Sequence, residues 1–172
     1  MLRKLTLNEF DEMFGIMRES FPDDEYRSES KHRELFGLDI YSVYGQYSDD
    51  GVLDGFITVW ELENFTYVEH FAVAPGKRNG GIGSEIMGAL EALTDKPICL
   101  EVELPNNDTA RRRIGFYKRC GFSLNEYPYI QPSLGEGKSP VPLLIMTTGG
   151  EIDEECFAKL RDELYSVVYE CK

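Results

Sequence analysis

The chain has 172 residues, of which 42% are hydrophobic and 12% aromatic, an ordinary composition for a globular protein that argues against disorder. Acidic side chains outnumber basic ones by 31 to 18, and the formal charge of -13 repels nucleic-acid phosphates and anionic membrane surfaces. We therefore expect no nucleic-acid partner. A cationic acceptor such as an amine would be attracted, and an acidic surface that serves only solubility is the alternative.

No Pro/Ser-rich linker and no shift in composition divides the sequence, so we predict a single domain over residues 1–172. The four cysteines are scattered without a CxxC pair and the chain has two histidines, so no metal site is predicted. The N-terminal segment lacks an apolar signal core, and the apolar run Val141–Met146 is too short to cross a bilayer. We expect a cytoplasmic protein with reduced thiols and no membrane partner, and a homodimer is left open.

The first forty residues predict a strand and two helices. Leu2–Thr6 has the pattern of a short strand, and Thr6-Leu7-Asn8-Glu9 fits a capping box that opens a helix to about Ser20. A second helix is predicted over Ser28–Leu38. In a ligand-binding fold, the polar and aromatic residues 21–38 would be suited to line an acceptor pocket.

From Ile40 onward, strands and helices alternate. Apolar alternation on both sides of the turn Ser48–Gly51 predicts a hairpin, and a third strand is predicted over residues 65–73. The remaining predictions are a helix from Ile82, a strand over 98–104, a helix from Asp108 that ends at Gly121, strands around Ser123–Ile130 and Val141–Thr147, and a helix over Glu151–Tyr169. This order predicts an α/β fold in which helices pack on the faces of a mixed sheet.

Between the third strand and the next helix lies the glycine-rich segment Arg78–Gly83. Backbone N–H groups at a helix N-terminus bind phosphate, glycines permit close approach, and Lys77 and Arg78 add positive charge. A Walker A loop would end in Gly-Lys-Ser/Thr, and the GGxG spacing this deep in the chain does not fit a dinucleotide fingerprint. The segment predicts a phosphate loop, with a flexible glycine-rich turn as the structural alternative.

Two motifs resemble the GNAT superfamily of acyl-CoA-dependent N-acetyltransferases. Arg78, Gly81 and Gly83 match the family signature Arg/Gln-x-x-Gly-x-Gly/Ala, and Phe116–Phe122 matches its later aromatic-Tyr-x-x-x-Gly-Phe segment. The resemblance covers roughly residues 50–125 and implies a GNAT-like, mostly antiparallel sheet flanked by helices, with acetyl-CoA as cosubstrate. One position departs from the pattern, because Ala110 stands where many members carry an Asn that contacts pantetheine.

The resemblance also implies a set of cofactor-binding residues. In addition to the loop, the strand before it and one arginine of the helix at 108–121 are candidates for acetyl-CoA binding. The complete set is Phe71, Ala72, Val73, Lys77, Arg78, Asn79, Gly80, Gly81, Ile82, Gly83, Ser84 and Arg113. For Arg113, a solvated basic surface shared with Arg111 and Arg112 is the alternative.

By the mechanism that the resemblance implies, an amine attacks the acetyl thioester directly. Tyr117 is the candidate general acid for the thiolate, because a phenol with an ordinary pKa near 10 keeps its proton at neutral pH; the alternative is a packed aromatic ring. A backbone N–H within Phe71–Val73 would stabilise the oxyanion. Glu69 is the first candidate for the base, and Glu101, Glu103 or a water chain compete with it.

Three classes of function remain open at this point. The first is an N-acetyltransferase that acts on an amine of a small molecule or a peptide. The second is a non-catalytic module that binds or senses acyl-CoA, against which Tyr117 argues. The third is an interaction domain whose acidic surface binds a basic partner.

Overall fold

The computed structural model describes residues 1–170 and has the predicted mixed α/β fold, a mostly antiparallel sheet of seven strands with flanking helices. The strands are Leu2–Lys4 (β1), Tyr41–Tyr47 (β2), Leu53–Glu61 (β3), Thr66–Val73 (β4), Ile98–Glu103 (β5), Phe122–Gln131 (β6) and Val141–Thr148 (β7). The α-helices are Phe10–Ser20 (α1), Glu29–Leu35 (α2), Ile82–Glu91 (α3), Asp108–Arg119 (α4) and Glu154–Glu163 (α5). No helix in this part of the chain combines the length and apolarity that a membrane crossing needs.

The chain divides into two compact units. The first unit contains residues 1–61 and 68–95, and the second contains residues 62–67 and the chain from Lys96 onward. The single domain over residues 1–172 stays a prediction.

In the first unit, β1 and β2 are antiparallel, as are β2 and β3, which form the predicted hairpin. The capping box is confirmed, because the Thr6 backbone N–H donates to Glu9 Oε2 at 2.8 Å and the Thr6 hydroxyl oxygen accepts from Asn8 N. This cap ends β1 at Lys4, two residues earlier than predicted. A 3-10 turn over Leu7–Glu9 leads into α1, whose apolar residues pack on β3.

Two helices begin later than the sequence pattern predicts. Ser28 caps α2 through its hydroxyl oxygen, which accepts from Lys31 N, so the helix starts at Glu29 and ends at Leu35. Asp153 caps α5 by accepting from Cys156 N at 2.8 Å, so this helix starts at Glu154 instead of Glu151. It then widens into a π-helix over Leu164–Val168.

In the second unit, β7 lies between β5 and β6, and both pairings are antiparallel. Helix α4 packs on β5 and β6 and ends as predicted, since Gly121 has a left-handed φ of 87° that a residue with a side chain adopts at a cost. The α4 residues Ala110, Ile114 and Tyr117 are buried. This packing fixes Tyr117 against the sheet of the second unit.

Candidate active site

The glycine-rich loop connects β4 to α3 in the first unit. A 3-10 turn over Pro75–Lys77 follows β4, and the chain is left-handed at Asn79 (φ 67°) and at Gly81 (φ 88°), the N-cap residue of α3. Both residue types tolerate this conformation better than others. Residues 75–81 are exposed. Because Gly81 has no side chain, no N-cap side chain covers the N-terminus of α3. The backbone N–H groups of the first turn are therefore uncapped at this end of the helix.

The two basic side chains of the loop bind partners within the protein. Lys77 Nζ lies 3.3 Å from Asp54 Oδ1, whose side chain is buried. Arg78 donates from Nε to the Val73 carbonyl oxygen at 3.0 Å and from Nη2 to the Ser20 hydroxyl oxygen at 3.2 Å. These contacts hold the loop against the end of β4. An anion bound here would therefore contact chiefly backbone N–H groups, near the positive charges of Lys77 and Arg78, which are already fixed in place.

Strand β3 lies close to β4 and α3 at Gly55. A methyl group at this position would lie 2.8 Å from the Ala72 carbonyl oxygen and 3.0 Å from Ile86 Cδ1. A side chain at Gly55 of β3 would therefore push β3 away from β4, which carries the candidate residues Phe71–Val73, and away from α3. The absence of a side chain at Gly55 sets the distance between these elements.

Glu69 lies on β4 with only 1% of its side chain exposed. Its carboxylate accepts hydrogen bonds from Arg27 and, at 2.9 Å, from Trp60 Nε1. Burial by itself would raise the pKa of Glu69, but attraction to Arg27 and to His70 and the two hydrogen bonds outweigh it and lower the pKa to about 2. A carboxylate held in this way is a weak proton acceptor at neutral pH.

Tyr117 lies on α4 in the second unit and is 8% exposed. Its ring packs against those of Phe116 and Phe122, with centroids 5.2 Å and 5.7 Å away. Burial raises the pKa of Tyr117 to about 12, although the positive charge of Arg113 opposes the shift. The phenol therefore keeps its proton at neutral pH, and within the described residues its hydroxyl group makes no hydrogen bond that would occupy it.

The two competing carboxylates lie on β5 in different surroundings. Glu103 forms an ion pair with Arg113 at 2.9 Å, and both side chains are about 40% exposed. Glu101 is half-buried, and its carboxylate accepts hydrogen bonds from the hydroxyl groups of Tyr129 and Tyr169 and from the Gln131 side chain. Burial raises the pKa of Glu101, although these hydrogen bonds oppose the rise.

The cluster around Glu101 was missed by sequence reasoning. Alternation along β5 places Glu101 on the face opposite to the apolar residues Leu100 and Val102. The sequence gives no other indication of this cluster. Its hydrogen-bond donors lie 28, 30 and 68 residues away along the chain. Asn107, three residues before Ala110, caps α4 by accepting from Ala110 N at 2.8 Å.

The predicted site residues thus fall into two groups, each organised by its own unit. The first unit brings together Glu69, Phe71–Val73 and the loop Lys77–Ser84 on one strand, one turn and one helix. The second unit holds Tyr117 and Arg113 on the same helix, one turn apart, with Glu103 beside Arg113.

A family model described as an acetyltransferase (GNAT) domain matches residues 39–124, half of the chain. The match includes both the loop that opens α3 and the tyrosine of α4. The chain belongs to the GNAT family of acetyltransferases. The GNAT family uses acetyl-CoA. This protein is accordingly an acyltransferase.

Solved structures of GNAT proteins share the fold over most of its length. A GNAT-family protein from Bacteroides thetaiotaomicron, assigned as an acetyltransferase, is 37% identical with a TM-score of 0.91, covering 100% of this chain and 99% of its own. The spermidine N-acetyltransferase of Vibrio cholerae, in complex with CoA and spermine, is 17% identical with a TM-score of 0.63 and coverages of 86% and 93%. The ribosomal-protein-S18-alanine N-acetyltransferase of Escherichia coli is 18% identical with a TM-score of 0.62 and coverages of 90% and 96%. No curated protein matches the chain significantly.

Proposed function

We propose that this GNAT protein transfers the acetyl group of acetyl-CoA to the amine of a small molecule or a peptide by direct attack. The observation that carries the proposal is the left-handed Gly81 at the start of α3, at the end of the loop that follows β4, because it leaves a helix N-terminus open to an anion. The amine class is supported by the net charge of -13, which favours cations, and by the structural relative that holds CoA and spermine.

We assign the phosphates of CoA to the N–H groups from Gly81 to Ser84, with the neighbouring residues 77–80 shaping the approach. Lys77 and Arg78 add positive charge while their internal partners keep the loop in one conformation. Arg113, half-exposed beside Glu103, is the candidate for an outlying phosphate group. Phe71–Val73 at the end of β4 would contact the acyl and pantetheine part and donate a backbone N–H to the oxyanion.

Tyr117 is the proposed general acid. When the amine nitrogen bonds to the acetyl carbon, the C–S bond breaks and the sulfur leaves as a thiolate that needs a proton. The raised pKa keeps Tyr117 in its donor form, and a buried hydroxyl group stabilises developing charge more strongly than one in water. The hydrogen bond to sulfur forms as the C–S bond lengthens, and proton transfer completes the step.

The amine has to lose a proton before or during attack. Glu69, the first candidate on sequence grounds, has a pKa of about 2 because of its ion pair with Arg27, so we infer that it is not the group that removes this proton. Glu101 suits the role better, because its raised pKa brings it closer to neutral pH, where a general base works best. A water molecule could carry the proton to it from the amine.

The test is the release of free CoA thiol across a panel of amines and N-terminal peptides. Tyr117→Phe should lower kcat by roughly 10²- to 10⁴-fold and leave the Kd for acetyl-CoA unchanged, since it removes only the donor. Tyr127→Phe is the matched control, because the Tyr127 hydroxyl group donates to the Ile152 carbonyl oxygen and its ring packs on Phe157 of α5. Failure to bind acetyl-CoA in calorimetry would overturn the proposal. Binding without transfer to any amine would favour the non-catalytic module that binds or senses acyl-CoA.

A further inference from the structure

We propose that Glu69 and His70 are positioning residues that clamp Phe21–Arg27, here called the acceptor segment, onto β4 and so set the amine acceptor in register with the acetyl group. The inference rests on the proposed function. It gives the buried ion pair between Arg27 and Glu69 a role in acceptor binding instead of proton transfer.

The first half of the clamp is the ion pair. The side chains of Arg27 and Glu69 are 10% and 1% exposed, so the pair is removed from solvent. Arg27 Nη1 donates to Glu69 Oε1, while Trp60 Nε1 donates to Oε2 at 2.9 Å. The guanidinium carbon of Arg27 also lies 5.9 Å from the centre of the Trp60 ring. One carboxylate oxygen therefore holds the end of the acceptor segment, and the other is held in place by Trp60 of β3.

The second half of the clamp is His70, the next residue of β4. Its Nε2 lies 2.8 Å from the Glu25 carbonyl oxygen, which fits an N–H donor on the ring. The edge of the Phe21 ring contacts the same imidazole, with centroids 5.2 Å apart. The His70 backbone N–H donates to Thr58 Oγ1 at 2.9 Å, which ties this residue to β3. Two consecutive residues of one strand thus bind both ends of the acceptor segment.

The clamp lies directly before the part of β4 to which we assign acetyl-group binding. Phe71–Val73 follow His70 without interruption, and a strand has little freedom to bend between them. Within the acceptor segment, the Tyr26 hydroxyl group donates to Asp23 at 2.6 Å and its ring packs edge-on to Phe14. Any group that binds the exposed side of the segment is therefore held at a fixed position along β4, which is how orientation lowers a barrier.

The experiment separates positioning from proton transfer with Glu69→Gln and Arg27→Met. Both should raise KM for the amine by about tenfold or more while KM for acetyl-CoA stays within about twofold, because the acceptor side alone is loosened. The acidic limb of the kcat/KM profile should remain. Amide hydrogen exchange of residues 21–27 should become faster. Glu155→Gln is the matched control, since it removes a carboxylate from the exposed pair with Lys159.

Arg27→Met leaves a buried charge without its partner and can impair folding, so the double variant Arg27→Met/Glu69→Leu is made as well. It should fold, exchange faster at 21–27 and show the same rise in amine KM. Loss of the acidic limb in Glu69→Gln with unchanged exchange would identify Glu69 as the base and overturn the inference. Unchanged amine KM despite faster exchange would also overturn it. A wild-type protein that binds no acetyl-CoA would instead overturn the proposed function.

Discussion

The hydroxyl group of Tyr169 lies 2.8 Å from Oε1 and 2.9 Å from Oε2 of Glu101, although 68 residues separate them along the chain. The same hydroxyl group lies 2.9 Å from that of Tyr67 and accepts from Gln131 Nε2 at 3.2 Å. The π-helix immediately precedes Tyr169, and such widened turns recur at functional sites. The residue that follows the π-helix therefore completes the surroundings of the Glu101 carboxylate, whose pKa is raised by burial.

The pH dependence of catalysis tests Glu101 as the base. Because burial raises the pKa of Glu101 above its usual value of 4.5, activity should fall on acidification at a pH above 4.5. Glu101→Gln should remove this acidic limb and lower kcat by roughly 10²- to 10⁴-fold. Glu126→Gln, an exposed change on β6, serves as the control for altered net charge. An unchanged limb in Glu101→Gln would show that the base lies elsewhere.

The ion pair between Arg27 and Glu69 predicts a loss of stability in acid. The pKa of Glu69 is about 2 in the folded protein and near 4.5 when unfolded, so the unfolded chain binds the proton first as the pH falls. The stability from this group is complete above pH 4.5 and should decrease by roughly 3 kcal/mol as the pH falls to about 2. Urea unfolding between pH 6 and pH 2 measures it.

The variant Arg27→Met/Glu69→Leu provides the comparison for this pH dependence. It lacks the titrating carboxylate, so its free energy of unfolding should change less over the same range. Parallel curves for the two proteins would contradict the low pKa of Glu69.

Gly81→Ala tests the left-handed start of α3. An alanine at φ 88° costs roughly 1–2 kcal/mol of stability and tends to move the first-turn N–H groups. We expect KM for acetyl-CoA to rise with the amine KM unchanged. Gly51→Ala is a matched control, because Gly51 also has a positive φ (78°) with open space around it, but lies in the hairpin turn. An equal rise in KM for both variants would argue against phosphate binding at α3.

Gly55→Ala tests the close approach of β3 to β4. The new methyl group would lie 2.8 Å from a backbone oxygen, so the strand itself has to move, and we expect a loss of roughly 1–3 kcal/mol together with a higher KM for acetyl-CoA. At Gly45 the three atoms nearest to an added methyl group are side-chain ends of Leu53 and Leu5, which can rotate. Gly45→Ala should therefore cost less and leave KM unchanged, as thermal unfolding and kinetics can measure. Equal effects would contradict this distinction.

Most of the fold could be predicted because its signals are local. The capping box at Thr6, the hairpin turn after Ser48 and the terminating Gly121 each act within a few residues, and all three occur where the sequence indicates them. The starts of α2 and α5 were predicted less well. The capping side chains of Ser28 and Asp153 decide the first helical residue of each helix. The apolar pattern does not mark these positions, because it extends beyond them.

The sequence by itself determined the fold class, the family and the two motifs at Arg78–Gly83 and Tyr117, because these depend on residue order and spacing along one strand–helix unit each. Only the tertiary structure decided what surrounds the carboxylates. Glu69 meets Arg27 from 42 residues away, and Glu101 meets Tyr169 from 68. The pKa of a buried carboxylate depends on such neighbours and on lost solvent, so the two strand glutamates acquire opposite pKa shifts that no local pattern records.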